Sequence, residues 1–314
     1  MLPEARGVAA FSLSRGRDNA EPVDDPTEPT RKHADPRVPL LHGELTKYAV
    51  GIAPVLPDMN IDPLRTGSGT CVRIAGRYFI ATAAHVISGR PPNMHFLMTP
   101  GLTNWTLRIV GGGTRGGGQG DYLDIGWLEL HGRAAAIAQR EWLDVARLRS
   151  HCTGDEDLVV MGAPVVHSER STHQDGSPML RVNGGWWPTR AITDARDLAA
   201  EDKLGDTKMF LKWPRRTNGP NGEFTEYPEA PGISGGGVWA VNLGHEPWRP
   251  EYAQLVAIEY AWARVGVPDR YVKALQIQTW LEMLRDDVPE LRSEIDAVVA
   301  AGRVPLIGSK VEDS

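Results

Sequence analysis

The rhythm of apolar and polar positions changes twice along this chain. From about residue 12 to 40 apolar side chains are sparse, and Pro, Asp, Glu and Arg crowd together, as in Glu21-Pro22-Val23-Asp24-Asp25-Pro26-Thr27-Glu28-Pro29. Such a stretch buries too little to offset the entropy of ordering itself, so residues 1–44 are expected to form a mobile N-terminal arm. Order is expected from Tyr48-Ala49-Val50-Gly51-Ile52 onward, where short runs of β-forming residues begin. Val72 and Ile74 alternate with Cys71 and Arg73, a turn follows at Ala75-Gly76, and 77–82 is again rich in β formers. Two such runs about a Gly-containing turn predict a hairpin. Further short strands are expected at 107–110, 124–130, 158–164, 209–213, 238–241 and 254–258. The rhythm then lengthens. Ile277, Trp280, Leu281 and Leu284 recur at helical spacing, as do Leu291, Ile295, Val298 and Val299, with Pro289 between the two sets and Gly302 as a terminator.

Composition adds exclusions to this picture. Thirty-four Gly and 24 Pro in 314 residues suit a loop-rich β protein better than a helical bundle. A net charge of −6 and the lack of a basic stripe argue against a nucleic-acid partner. Two cysteines, Cys71 and Cys152, give no disulfide framework. The apolar run 7–11 is too short and too soon interrupted by Arg15 and Arg17 for a secretory leader. No stretch approaches the roughly 18 apolar residues of a membrane span. A reducing, cytoplasmic setting without membrane attachment is therefore expected.

Three segments carry chemistry. Ala81-Thr82-Ala83-Ala84-His85-Val86 places a histidine among small residues after an apolar run, preceded by Gly67-Ser68-Gly69-Thr70. Asp124-Ile125-Gly126-Trp127-Leu128 opens an apolar strand with a carboxylate, whose burial calls for a hydrogen-bond donor such as an imidazole N–H. Asp121 is a competitor for the same role. Pro231-Gly232-Ile233-Ser234-Gly235-Gly236-Gly237 flanks a serine with glycines, which permit positive φ and close approach of another backbone. The N–H groups of Gly232 and Ser234 can converge there as an oxyanion hole. The loop lacks the Gly-Lys-Ser/Thr ending of a nucleotide loop. Its continuation into strand-forming residues also separates it from the strand-to-helix elbow of α/β-hydrolases. A hydroxyl, a base, a group that orients the base and oxyanion donors together make up nucleophilic acyl transfer.

The ordered set Thr82-Ala83-Ala84-His85, Asp124-Ile125-Gly126 and Gly232-Ile233-Ser234-Gly235-Gly236 resembles the signature segments of the trypsin-like (chymotrypsin-fold) serine peptidases. The similarity extends over roughly residues 45 to 285, including 160–164, 255–258 and the terminal helix. It implies an all-β fold of two antiparallel six-stranded β-barrels with C-terminal α-helices. The expected division is 45–145 for the barrel carrying His and Asp, 146–268 for the barrel carrying Ser, and 269–314 for helices and tail. It implies His85 as general base and then acid, Asp124 as its orienter and Ser234 as nucleophile. A protein substrate is implied, and no metal or cofactor.

Departures from the family narrow the expectation. Ile233 stands where digestive members carry an Asp that receives a freshly cut N-terminus, so activation by clipping is not expected. Val86 stands where extracellular members carry the cysteine that would pair with Cys71. Both point to a bacterial intracellular type whose site is preformed or controlled by its own arm or by a regulatory protein partner. Substrate selection is expected from Glu229 before the nucleophile and from Glu259 and Tyr260 after it; a carboxylate there would favour Lys or Arg by charge pairing. The run Gly111-Gly112-Gly113-Thr114-Arg115-Gly116-Gly117-Gly118 is expected as a flexible inter-strand loop. A catalytically silent binding module and an esterase using the same triad are the competing functions. Reactivity of Ser234 separates the first, and peptide against ester turnover the second.

Overall fold

In the computed structural model the described residues are 37–55, 66–88, 95–99, 106–107, 109–117, 123–137, 140–150, 152, 156–163, 168–172, 178–182, 185–194, 196, 198, 202, 206–213, 216–218, 224–226, 232–244, 247–264 and 270–301. The described residues are mostly strands with C-terminal helices, built on two largely antiparallel sheets. The first contains β1 (Ala49–Val55), β2 (Gly67–Ile74), β3 (Arg77–Thr82), β4 (His95–Thr99), β6 (Ile109–Gly116) and β7 (Asp124–Leu130). Of two two-residue strands, β5 (Thr106–Leu107) lies at the edge beside β4, and β8 (Leu143–Asp144) pairs in parallel with β2. The order is β5-β4-β1-β2-β3-β7-β6. The second sheet is built from β9 (Leu158–Gly162), β12 (Gly185–Thr189), β13 (Lys208–Lys212), β16 (Gly237–Ala240), β17 (Gln254–Arg264) and β18 (Arg270–Gln276). Its order is β12-β9-β16-β17-β18-β13. Two separate hairpins stand outside it: β10 (Ser168–Thr172) with β11 (Pro178–Val182), and β14 (Arg216–Asn218) with β15 (Phe224–Glu226).

The expected hairpin is β2–β3. Both turn residues have positive φ, 49° at Ala75 and 74° at Gly76, the turn geometry whose twist matches the flanking strands. The Gly-rich run 111–116, expected as a loop, is strand β6 and pairs along β7 from Gly111↔Glu129 to Gly116↔Asp124. Its glycines serve close approach. A Cβ on Gly113 would meet the Trp127 indole nitrogen at 2.5 Å and the Asp287 carboxylate at 2.6 Å. Strand propensity is overridden here by what has to lie over the backbone.

Two expected boundaries move. Residues Arg37–Thr46 form α1, which crosses the limit placed at 44. Leu41 and Leu45, one turn apart, are buried, and the buried Glu44 pairs with Arg147 at 2.6 Å. Arg147 also lies over the Tyr48 ring, 5.2 Å from its centroid. Pro39 is tolerated because it falls in the first turn, where N–H groups have no helical partner. At the other end Arg270–Gln276, assigned to the helical tail, is a strand between β17 and β13. The expected helices follow as α4 (Ile277–Asp287) and α5 (Arg292–Ala301), divided by a short 3₁₀ turn that begins at Pro289. Two further short helices, α2 (Ala84–Ile87) and α3 (Gly132–Ile137), lie within the first half.

One apolar core takes residues from both sheets and the terminal helices, including Val72, Ile80, Ile125, Met161, Trp239, Leu255, Trp280 and Leu284. A second, formed by Val160, Leu211, Trp213, Ile233, Val238 and Ala257, fills the inside of the second sheet. Helix α4 is fastened across β7: Trp280 Nε1 donates to Gly126 O at 3.2 Å and Trp127 Nε1 donates to Asp287 at 2.9 Å. Arg115 on β6 adds ion pairs to Asp286 and Asp287 at 3.2 and 3.3 Å. The strand that opens with Asp124 is thereby held from outside as well as by its neighbours. No helix among the described residues is long and apolar enough to cross a membrane.

Candidate active site

His85 sits in α2, a single turn that follows β3 directly. Ala83 and Ala84, just before it, are fully buried. Asp124 begins β7, next to β3 in the sheet. Its Oδ2 lies 2.7 Å from His85 Nδ1, and its Oδ1 accepts the backbone N–H of His85 at 2.9 Å. Both carboxylate oxygens are thus committed to one residue, which fixes the ring relative to the chain. The Asp124 side chain is 15% exposed and that of His85 43%, so the pair is sheltered at the acid and open at the imidazole. Gly117 makes room for this arrangement. It has φ of 87°, and a Cβ there would stand 3.1 Å from His85 N. Asp121 lies outside the described residues.

Ser234 lies in the tight turn 232–235 before β16. Gly232 and Gly235 have φ of 91° and 92°, values that exclude a side chain at low cost. Among the described residues neither the Gly232 nor the Ser234 backbone N–H donates a hydrogen bond, while Gly235 N donates to Glu259 O and Gly236 N to Ile233 O, both at 2.7 Å. Two unused donors two residues apart, beside a serine hydroxyl, are what an oxyanion requires. Ile233 is completely buried in the core of the second sheet, so apolar packing anchors this turn.

The turn is bound to the first sheet through Ser68, a residue that sequence reasoning passed over as part of a small-residue string. The Ser68 hydroxyl donates to Gly232 O at 2.7 Å and accepts from Ala163 N at 2.7 Å. Ser68 N donates to Ser234 O at 2.7 Å, and Ser68 O accepts the Thr82 hydroxyl at 2.7 Å. Thr82 is three residues before His85, so one buried serine connects the histidine segment to the serine turn. Gly67, whose Cβ would collide with Val86 and stand 3.1 Å from Ser234 O, packs at the same seam. The sequence signal was present in the small-residue string 67–70, but its partners are 95 and 164 positions away.

Ser234 Oγ makes its hydrogen bond to the Tyr260 carbonyl at 3.4 Å; none to His85 is formed among the described residues. Tyr260 is the extra residue of a β-bulge in β17, since Glu259 pairs with Ala274 and Ala261 with Lys273. The bulge turns that carbonyl toward the serine, a common use of bulges beside reactive groups. Tyr260, expected as a substrate contact, therefore meets the site through its backbone while its side chain is buried in the larger core. Burial, reinforced by the negative charges of Asp202, Asp124 and Glu259, pushes its phenol up. Glu259 is 0% exposed, and neither carboxylate oxygen has a hydrogen bond of normal geometry. Burial, then the charge of Asp124, raises its carboxyl well above the ordinary range; the neighbouring Ser234 hydroxyl opposes this more weakly. Glu229 lies outside the described residues. Cys71 is buried and free, its thiol pushed up to about 12 by burial.

The raised carboxyl has a sign that can be checked. Between the unfolded and the higher folded value the native chain holds a proton that the unfolded chain has lost, so stability falls as pH rises. Relative to the parent, Glu259→Gln is expected to gain melting temperature from pH 5 to pH 8, because it removes a loss of up to about 1.4 kcal/mol per pH unit. Thermal melts at the two pH values measure this; a gap that stays constant or narrows rules out a proton held at Glu259.

Comparison with family models gives no match, and neither does comparison with curated proteins. Among solved structures the chain is similar to the scabies mite inactivated protease paralogue S-I1, at 11% identity and a TM-score of 0.47. The likeness covers 79% of this chain and 96% of that one.

Proposed function

We propose that this chain is a serine endopeptidase of trypsin-like type, cleaving protein substrates through an acyl-enzyme on Ser234. The observation that carries the reading is the doubly anchored His85–Asp124 pair, at 2.7 and 2.9 Å. With Asp124 accepting at Nδ1, the proton of neutral His85 sits on that nitrogen and Nε2 is left as the acceptor. His85 can then take the Ser234 proton as the hydroxyl attacks a carbonyl, and return it to the leaving amine. The unused N–H groups of Gly232 and Ser234 are placed for the negative oxygen of the tetrahedral intermediate. Water, activated by the same imidazole, releases the acyl group. Ile233 supports a site formed without N-terminal insertion, since an ammonium would find an apolar core there. A cytoplasmic, bacterial-type processing role with control by the arm or by a protein partner goes with this reading.

A second reading, a catalytically silent binding module, draws on the Ser234 hydroxyl bonding to Tyr260 O instead of His85. Reactivity of the Ser234 hydroxyl decides between the two. An uncharged fluorophosphonate is expected to label the parent at Ser234, with labelling abolished in Ser234→Ala. A parent chain that is folded yet unlabelled would leave the silent module standing.

A further inference from the structure

A cavity of about 360 Å³ lies at one end of the second sheet, where β9 begins and β12, β13 and β16 end. Ser234 precedes β16, whereas Val241, in the cavity wall, follows it, so the serine and the cavity stand at opposite ends of that strand. The wall is mainly apolar: Leu41 comes from α1, and Val159, Trp186, Val241 and Leu243 from the sheet and the segment after β16. Trp186 is the neighbour of Trp187, which fills the inside of the sheet. Trp186 itself is only part-buried and lies against the His42 ring of α1, with centroids 6.2 Å apart. Protein interiors seldom leave a void larger than a water molecule. At about 30 Å³ for each water-sized group, this one has room for roughly a dozen of them. It falls within the range of small-molecule sites, about 300–1,000 Å³.

Charge is confined to the mouth. The charged residues of the lining are Asp157, Arg190 and Lys212, all exposed. Arg190 pairs with Asp157 at 3.4 Å. Lys212 has no ion pair among the described residues. Its backbone is nevertheless held beside that of Arg190: Lys212 N donates to Arg190 O at 2.9 Å, and Lys212 O accepts the Thr189 hydroxyl at 2.5 Å. One uncompensated ammonium is thus rooted at the edge of an apolar cavity. We propose that this cavity binds a medium-chain fatty carboxylate, with the alkyl chain against the apolar wall and the carboxylate at Lys212. The wall suits a body that gains by leaving water, and a single free cation calls for a monoanion. A positively charged amphiphile would find the same apolar room but a like charge at the mouth. The proposal does not depend on the chemistry of Ser234.

The test titrates the full chain by isothermal calorimetry with octanoate, decanoate and dodecanoate, and with decyltrimethylammonium, all below their micelle concentrations. Saturable binding is expected for the carboxylates, tightening by about tenfold for every two methylenes added. Decanoate is expected to bind at least about fivefold more tightly than decyltrimethylammonium. Lys212→Glu is expected to reverse that order; being a ratio within one preparation, it does not depend on how much of the variant folds. Leu243→Trp, a larger side chain at a part-buried position of the wall, is expected to abolish decanoate binding, with circular dichroism confirming the fold. A parent that binds no carboxylate saturably overturns the proposal, as does equal affinity for decanoate and decyltrimethylammonium. Decanoate affinity left unchanged in a folded Leu243→Trp variant places the ligand elsewhere and overturns the assignment to this cavity. An order left unchanged in Lys212→Glu overturns the pairing of the carboxylate with Lys212.

Discussion

Replacing Asp124 by Asn is expected to lower turnover by about 10⁴-fold while leaving the fold unchanged, an effect known in kind for triads whose acid becomes an amide. The geometry explains why so conservative an exchange is so damaging. Asp124 accepts twice from the same residue, at the His85 backbone N–H and at Nδ1. An amide has only one acceptor oxygen. The main-chain N–H cannot give up its role as a donor, so the Asn oxygen is drawn to it, and the NH₂ group then faces Nδ1. Nδ1 must become an acceptor, which moves the imidazole proton to Nε2. A histidine in that tautomer cannot take a proton from Ser234. The barrier rises by about 5.5 kcal/mol for a 10⁴-fold loss. The measurement is kcat on a peptide substrate with circular dichroism and melting temperature as controls. Turnover within tenfold of the parent would show that the pair does not orient a catalytic base.

How much of this was legible beforehand depends on how local each feature is. His85 and Asp124 were visible because each stands beside a short, strongly patterned run, and the hairpin 67–82 because two β-forming runs flank a glycine turn. Helix α1 was hidden by composition: Leu41 and Leu45 are a helical pair, but the surrounding Pro and charge suggested an arm. The strand β6 was hidden for the opposite reason. Its glycines look like a loop until Trp127 and the carboxylate of Asp287, from an element about 170 residues away, are laid over them. Ser68 was marked only by the small-residue string around it, since a buried serine is defined by the partners it satisfies. Glu259 was found by counting along the strand after the nucleophile, whereas its burial and lack of partners came only from the packing of β17 against β18 and the serine turn. Chemistry-bearing residues were thus readable by type and spacing, and the contacts that bind one half of the site to the other were not.

Those contacts set the second large effect, Gly235→Ala. Gly235 has φ of 92°, where an L side chain is strained by roughly 1–2 kcal/mol. A Cβ at this position would collide with the Ser68 carbonyl oxygen and the Thr82 hydroxyl. Neither can step back: Ser68 O holds the Thr82 hydroxyl at 2.7 Å, and Ser68 N is tied to Ser234 O at 2.7 Å. Overpacking of this kind adds about 1–3 kcal/mol. The expected outcome is a destabilisation of about 2–5 kcal/mol, or a fall in melting temperature of roughly 4–20 °C for a domain of this size. Labelling of Ser234 should disappear with it, because relief of the clash moves the turn that carries the two unused N–H groups. The same methyl at Gly43, within α1 and with nothing inside 4 Å, is expected to stabilise the chain by about 0.5–1 kcal/mol. Gly43→Ala therefore controls for the exchange itself. Equal and small shifts at the two positions would mean that the serine turn is not wedged against β2, and that the link from Thr82 through Ser68 to Ser234 does not hold the site together.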